Sequence, residues 1–114
     1  MSNRELQCPD GKSLSIDDRG YLLDPAAWTP RVAETMAARD GVALNADHWV
    51  VIDIFREYFE RYEIEPPMRA LVKLAREQLG EEKGSSRYLY RLFPDGPGTQ
   101  ACRYAGLPRP LSCV

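Results

Sequence analysis

Asn45-Ala46-Asp47-His48-Trp49-Val50-Val51-Ile52-Asp53-Ile54-Phe55-Arg56-Glu57-Tyr58-Phe59-Glu60-Arg61-Tyr62 decides the fold class. Trp49, Ile52, Phe55 (or Arg56) and Phe59 recur at helical spacing, so one stripe is apolar. Asp53, Glu57, Glu60 and Glu63 form much of a solvated opposite face. Asn45 stands where an N-cap belongs. The stretch is the most strongly amphipathic in the chain and is long enough to be its central helix. His48, near its start, reads as a surface or capping residue rather than a catalytic base.

Towards the C-terminus, Glu65-Pro66-Pro67 ends a connection and starts another helix. Met68, Leu71, Val72, Ala75 and Leu79 form its apolar face, and Gly80 stops it. Ser85-Ser86 caps a short helix carrying Tyr88, Leu89, Leu92 and Phe93, which Pro94-Asp95-Gly96-Pro97-Gly98 breaks. Thr99 is expected to cap a last short helix through Cys102 that ends at Gly106. Residues 107–114 contain Pro108 and Pro110, which exclude a helix. They read as an extended, mobile arm.

Towards the N-terminus, residues 1–10 are polar and read as a loose arm. Lys12 to Ile16 alternates polar and apolar, Asp17-Asp18-Arg19-Gly20 is a turn signal, and Tyr21-Leu22-Leu23 reads as the return strand of a small hairpin. Asp24-Pro25 starts a helix through Trp28, Val32 and Met36 that stops near Gly41, although Pro30 favours a start nearer Thr29. The expected architecture is mainly α with a small N-terminal β-hairpin. It comprises a loose arm (1–10), a compact helix-turn-helix-like domain (11–106) and a flexible C-terminal arm (107–114).

The chain of 114 residues, 44% hydrophobic, suits one compact domain with an ordinary core. No apolar run approaches the roughly 18 residues of a membrane span. Met1 to Asp10 shows no basic start followed by an apolar run, so the expected compartment is the cytoplasm. The net charge of −2 is unevenly spread. Residues 1–82 carry 10 basic against 16 acidic side chains, whereas residues 83–114 carry 5 against 1. Lys83, Arg87, Arg91, Arg103 and Arg109 thus make a basic C-terminal quarter, a local field for a thiolate, a persulfide or an acidic partner.

Three cysteines, Cys8, Cys102 and Cys113, do not make a disulfide framework. Without a CxxC pair or a histidine near a cysteine, a zinc site is poorly supported, and no metal or cofactor is expected. Cys113 sits on a non-helical segment at reach from the domain. Cys102, between Ala101 and Ala105, suits a small core residue equally well. Cys8 reads as an exposed thiol in the arm. The eight residues from Gly106 to Cys113 span about 26 Å at roughly 3.3 Å each. Cys113 therefore reaches Cys102, with Gly106 as the natural hinge, and pairing would be a state rather than a permanent staple. Arg103 and Arg109 in sequence, and Arg87 and Arg91 in space, are candidates to stabilise a thiolate or to bind a partner. Tyr88, Tyr90 and Tyr104 are candidates for stacking but more commonly pack a domain.

With these residues assembled, the sequence resembles the DsrC/TusE family of sulfur-relay proteins from about Gly11 to Val114. The residues that carry the resemblance are Glu82-Lys83-Gly84-Ser85-Ser86-Arg87-Tyr88-Leu89-Tyr90-Arg91-Leu92-Phe93-Pro94-Asp95-Gly96-Pro97, then Gln100-Ala101-Cys102-Arg103-Tyr104-Ala105-Gly106-Leu107-Pro108-Arg109-Pro110, and Cys113-Val114. Asp18-Arg19-Gly20-Tyr21-Leu22, Asp47-His48-Trp49 and Met68-Arg69-Ala70-Leu71-Val72-Lys73 add to it.

The resemblance implies that Cys113 is the sulfur-accepting residue. It also implies that Cys102 matches the second cysteine of the DsrC type, which members acting only in transfer RNA thiolation commonly lack. Ser112 departs from the glycine of many DsrC members.

Three readings follow. In the first, the protein is a sulfur carrier of dissimilatory metabolism, with Cys102 resolving a Cys113 persulfide through disulfide or trisulfide states. Its implied partners are dissimilatory sulfite reductase, DsrEFH-type sulfurtransferases and a membrane-linked heterodisulfide-reductase-like complex. In the second, it relays sulfur from a TusBCD-type complex for 2-thiouridine formation in transfer RNA. In the third, it is a DNA-binding regulator. The net charge and the lack of an Arg/Lys-rich recognition helix count against the third, so direct nucleic-acid contact is not expected.

Overall fold

The computed structural model describes residues 4–9 and 11–108. The elements are β1 (Arg4–Gln7), β2 (Ser13–Ile16), a single 3-10 turn (Pro25–Ala27), α1 (Pro30–Arg39), α2 (Ala46–Tyr62), α3 (Met68–Leu79), α4 (Ser86–Leu92) and α5 (Pro97–Tyr104). The fold is thus mostly helical with a two-stranded antiparallel N-terminal sheet, as expected.

The strands of that sheet differ from the expectation. Residues 4–7 are not a loose arm but the first strand, in register Leu6 opposite Leu14 and Arg4 opposite Ile16. Leu6 is 1% exposed and anchors the strand on the core. The expected return strand contributes only one bridge, Ile16 to Leu22, beside the Asp17–Gly20 turn. The Asp17 carboxylate accepts the Arg19 and Tyr21 N–H groups there, at 2.8 and 2.9 Å, and so fixes the turn. Cys8, expected to be exposed, is partly buried against the core at the end of β1.

The first helical segment divides in two. Asp24 caps only the 3-10 turn, and Thr29 caps α1 with Pro30 at its first position. Trp28 is left between them in extended conformation (φ −69°, ψ 138°), so it leaves the helix face and is available to another element. α5 begins at Pro97 rather than after Thr99, because a proline fits the first turn, where no N–H bond is needed.

The central helix is as expected, capped reciprocally by Asn45 and His48. Its buried stripe runs through His48, Val51, Ile52, Ile54 and Phe55, with Trp49 and Phe59 partly buried at its edge. Leu71 and Ala75 of α3 pack on one side of it, and α5 on another. His48 accepts the Asn45 N–H at Nδ1 (3.1 Å) and donates from Nε2 to the Leu92 carbonyl (2.9 Å). Its ring stands edge-on to Phe93, 5.2 Å between centroids. The residue is therefore a structural tie between α2 and the end of α4.

Asp47 makes a second tie. Its carboxylate accepts a hydrogen bond from the Tyr88 hydroxyl and an ion pair from Lys83 at 3.0 Å. These partners, Tyr88 first, hold the Asp47 carboxyl below the usual carboxylate range. A lowered folded-state pKa adds stability above the unfolded value, near 4, that is lost as pH falls below it. Asp47→Asn is expected to cost roughly 1 kcal/mol at pH 7, the ordinary worth of one hydrogen bond. Chemical denaturation at pH 7 and pH 3 should show the gap between variant and parent closing at the lower pH.

Candidate functional site

Cys102 lies on the inner face of α5, between Ala101 and Tyr104, and is 1% exposed. The core placement weighed for it is therefore what the fold gives. One end of the site is nevertheless open to the chain that follows. Gly106 N–H donates to Arg103 O at 3.1 Å, and Leu107 N–H donates to Cys102 O at 3.3 Å. With Gly106 at φ +74°, these two bonds are a Schellman motif. The motif turns the chain back along α5. Leu107 is 6% exposed, and the Cys102 thiol donates to the Pro108 carbonyl at 3.5 Å.

One expectation changes here. The arm does not begin at residue 107, because Leu107 is docked as part of the core. Gly106, the expected hinge, ends α5 at a positive φ, and a Cβ there would lie 2.3 Å from Trp28 Cδ1. Trp28 holds the turn further, since its indole N–H donates to the Tyr104 carbonyl at 2.7 Å. Arg56 stacks on Trp28, 3.8 Å from the ring centre, and donates to the Ala105 carbonyl at 2.8 Å. Two side chains thus satisfy carbonyls that the helix end leaves open, and Arg56 brings a cation to the negative end of α5.

The arginines singled out from sequence separate in space. Arg103 pairs with Asp40 at 3.1 Å and faces the Gly20 turn, so its charge is committed on the sheet side of α5. Asp40 also accepts the Tyr104 hydroxyl at 2.7 Å. Burial, followed by this hydrogen bond, drives the Tyr104 pKa strongly upward and keeps the phenol neutral. Arg87 and Arg91, one helical turn apart on α4, are exposed, as is Tyr90. Tyr88 and Tyr104 pack within the fold, as weighed. Cys113 and Arg109 lie outside the described residues.

Arg56 was missed from sequence. The signal that marks it is its place at the edge of the apolar stripe, seven residues after Trp49 and three before Phe59, where an arginine interrupts the pattern. Among the described residues no helix is long and apolar enough to cross a membrane.

Cys102 is thus a buried thiol on α5 whose S–H faces a carbonyl of the returning chain. Comparison with known proteins identifies the family. The family model described as DsrC like protein matches residues 9–114. The sulfurtransferase TusE of Salmonella paratyphi A is 46% identical over 105 residues, covering 92% of this chain and 96% of that one. The NMR structure of Allochromatium vinosum DsrC superposes with a TM-score of 0.87 at 47% identity, covering 99% of this chain and all of that one. The oxidized gamma-subunit of the dissimilatory sulfite reductase (DsrC) from Archaeoglobus fulgidus superposes with a TM-score of 0.87 at 39% identity, covering 97% of this chain and all of that one. This chain belongs to the DsrC-like family.

Proposed function

We propose that the protein is a cytoplasmic sulfur carrier that accepts sulfane sulfur on Cys113 and resolves it with Cys102. The Cys113 thiolate attacks the outer sulfur of a donor persulfide, forms the Cys113 persulfide and releases the donor thiolate. The Cys102 thiolate then attacks Cys113 Sγ, forming the disulfide and expelling hydrosulfide. The observation that supports this best is the Cys102 thiol against the Pro108 carbonyl, five residues before Cys113. Those five residues span about 16 Å at roughly 3.3 Å each, enough to bring Cys113 back. A thiol buried this deeply is reached by the returning chain more readily than by an outside oxidant.

The presence of Cys102 and the likeness to DsrC structures favour the dissimilatory role, with a sulfite reductase, a DsrEFH-type donor and a heterodisulfide-reductase-like complex as partners. The TusE relatives favour a relay to transfer RNA from a TusBCD-type donor. The two readings differ in whether Cys102 is needed. The direct test incubates the protein with a persulfidated sulfurtransferase, followed by intact mass and peptide mapping. One added sulfur on the peptide carrying Cys113 is expected at early times, before Cys102 resolves it. Its appearance on Cys8 or Cys102 instead would sink the reading.

Arg87 and Arg91 belong to this reading as an exposed pair for an acidic donor surface. The double variant Arg87→Ser/Arg91→Ser should slow transfer from the donor protein about tenfold at low salt and flatten its salt dependence. Loading by small-molecule polysulfide should stay unchanged. Equal slowing with both donors would remove the pair from the docking surface.

A further inference from the structure

Four arginines from four parts of the chain surround one depression of about 210 Å³. Arg4 comes from β1, Arg19 from the turn that ends at Gly20, Arg39 from the last turn of α1 and Arg103 from α5. Two aspartates, Asp18 and Asp40, share the rim, so the six charged groups leave a net +2. That surplus stands against its surroundings, because residues 1–82 as a whole carry 10 basic and 16 acidic side chains. Asp40 is already matched: it pairs with Arg103 at 3.1 Å and accepts the Tyr104 hydroxyl at 2.7 Å. Arg4, Arg19 and Arg39 make no ion pair with another described residue. Nor does Asp40 saturate Arg103. Among the described residues, Arg103 Nε is the one buried side-chain nitrogen or oxygen without a hydrogen-bond partner. Cations gathered around one depression and an orphaned buried donor both cost free energy, and an anion bound there offsets both. We propose that this depression is a binding site for a small tetrahedral dianion of the sulfate and phosphate class.

Size sets the upper bound on the ligand. Sites for drug-sized molecules run to roughly 300–1,000 Å³, whereas this one holds an ion of about five heavy atoms with a few waters. Charge sets the sign and the magnitude, since a dianion neutralises the surplus. Geometry favours a tetrahedral oxyanion over a carboxylate. A guanidinium presents a planar fork that engages two oxygens at once. Forks arriving from a strand, a turn, a helix end and a second helix need oxygens in several directions, which a planar carboxylate lacks. Leu6, Ile16 and Met36 line the same depression, each at most 4% exposed, so charges held against them are screened less than on an open surface. Gly20 admits the fourth arginine. Its φ is +90°, and a Cβ there would lie 3.2 Å from Arg103 Cδ and 3.5 Å from Arg103 Nη1. The absence of a side chain at Gly20 thus lets Arg103 lie against the turn that carries Arg19. A bound dianion would tie β1 and this turn to α1 and α5.

The test is titration of the full chain with sodium sulfate at neutral pH in a phosphate-free buffer, with sodium chloride holding the ionic strength constant. Nitrogen–proton correlation NMR reads the backbone amides and the arginine Nε–H groups, and thermal unfolding reads stability. Saturable shifts are expected at the Arg4, Gly20 and Asp40 amides and at the Arg103 Nε–H. With a Kd on the order of 1 mM, roughly ten times that concentration of sulfate should raise Tm by about 5 °C. Arg19→Gln and Arg39→Gln leave the Arg103–Asp40 pair in place and should each weaken sulfate binding about five- to tenfold. Arg31→Gln removes the same charge from α1 outside the depression and should bind as the parent does. Phenyl phosphate presents the same kind of group on an organic ester. Sulfate bound as tightly as phenyl phosphate supports a free ion. A preference of about tenfold or more for the ester overturns the free-ion reading and gives the depression to a phosphate carried on a larger molecule. Shifts no larger than those chloride produces, or equal weakening in Arg31→Gln, overturn the site altogether.

Discussion

Cys113→Ser is expected to abolish sulfur uptake, with no mass gain after incubation with a persulfidated donor that adds one sulfur to the parent. The expected effect is complete because serine cannot attack a sulfane sulfur. A hydroxyl is far less acidic and less nucleophilic than a thiol, and only the thiolate performs this exchange. Cys102→Ser should behave differently. Uptake should persist if Cys113 is the accepting thiol, as proposed, whereas hydrosulfide release without added reductant should stop. The persulfide would then accumulate. Cys8→Ser should match the parent, since Cys8 follows β1 in a cleft with Lys12, Leu14, Ala26 and Thr29 and has no part in the proposed transfer. These three variants also separate the two pathways. If the Cys102→Ser protein still supports transfer RNA thiolation at the parent's rate, the relay reading gains, and if sulfite-reductase turnover needs Cys102, the dissimilatory reading gains. Sulfur uptake that survives in Cys113→Ser would remove the carrier mechanism altogether.

What the sequence made legible is what is encoded over a few residues. Asn45, Ser85 and the Pro67–Gly80 frame announce α2, α4 and α3 through local capping chemistry, and each helix lies where those residues put it. Strand β1 was hidden because Arg-Glu-Leu-Gln offers a single apolar residue, too little to show an alternating pattern. Its identity comes from the fit of Leu6 into the core, a tertiary fact. The site divides in the same way. The thiol at Cys102 and the glycine after α5 can be read as residues, whereas the partners that define them are far off in the chain. Trp28 and Tyr104 are 76 positions apart, and Arg56 and Ala105 are 49. Arg103 shows the converse: adjacent in sequence to Cys102, it points about 100° away around the helix and pairs with Asp40.

Gly106→Ala should be among the most destabilising single-methyl substitutions in this chain. Two costs add. The residue sits at φ +74°, where an L side chain costs roughly 1–2 kcal/mol. The new Cβ would also meet Trp28 at 2.3 Å from Cδ1, 2.7 Å from Cγ and 2.9 Å from Cβ, so the indole has to move. A displaced indole gives up its hydrogen bond to Tyr104 O and its stack with Arg56, together about 1.5–2 kcal/mol. The sum is about 2.5–4 kcal/mol, or a fall in Tm on the order of 10 °C or more. Gly41→Ala provides the internal comparison. Gly41 has nearly the same φ, +76°, but no atom within 4 Å of a Cβ, so only the backbone cost applies. Thermal and denaturant unfolding of both variants should therefore differ by about 2 kcal/mol, the part that belongs to Trp28. If Gly106 were a free pivot, the two alanines would cost the same. That equality would mean that the turn after α5 yields easily, and that the aim of the chain towards Cys102 is not built into the core.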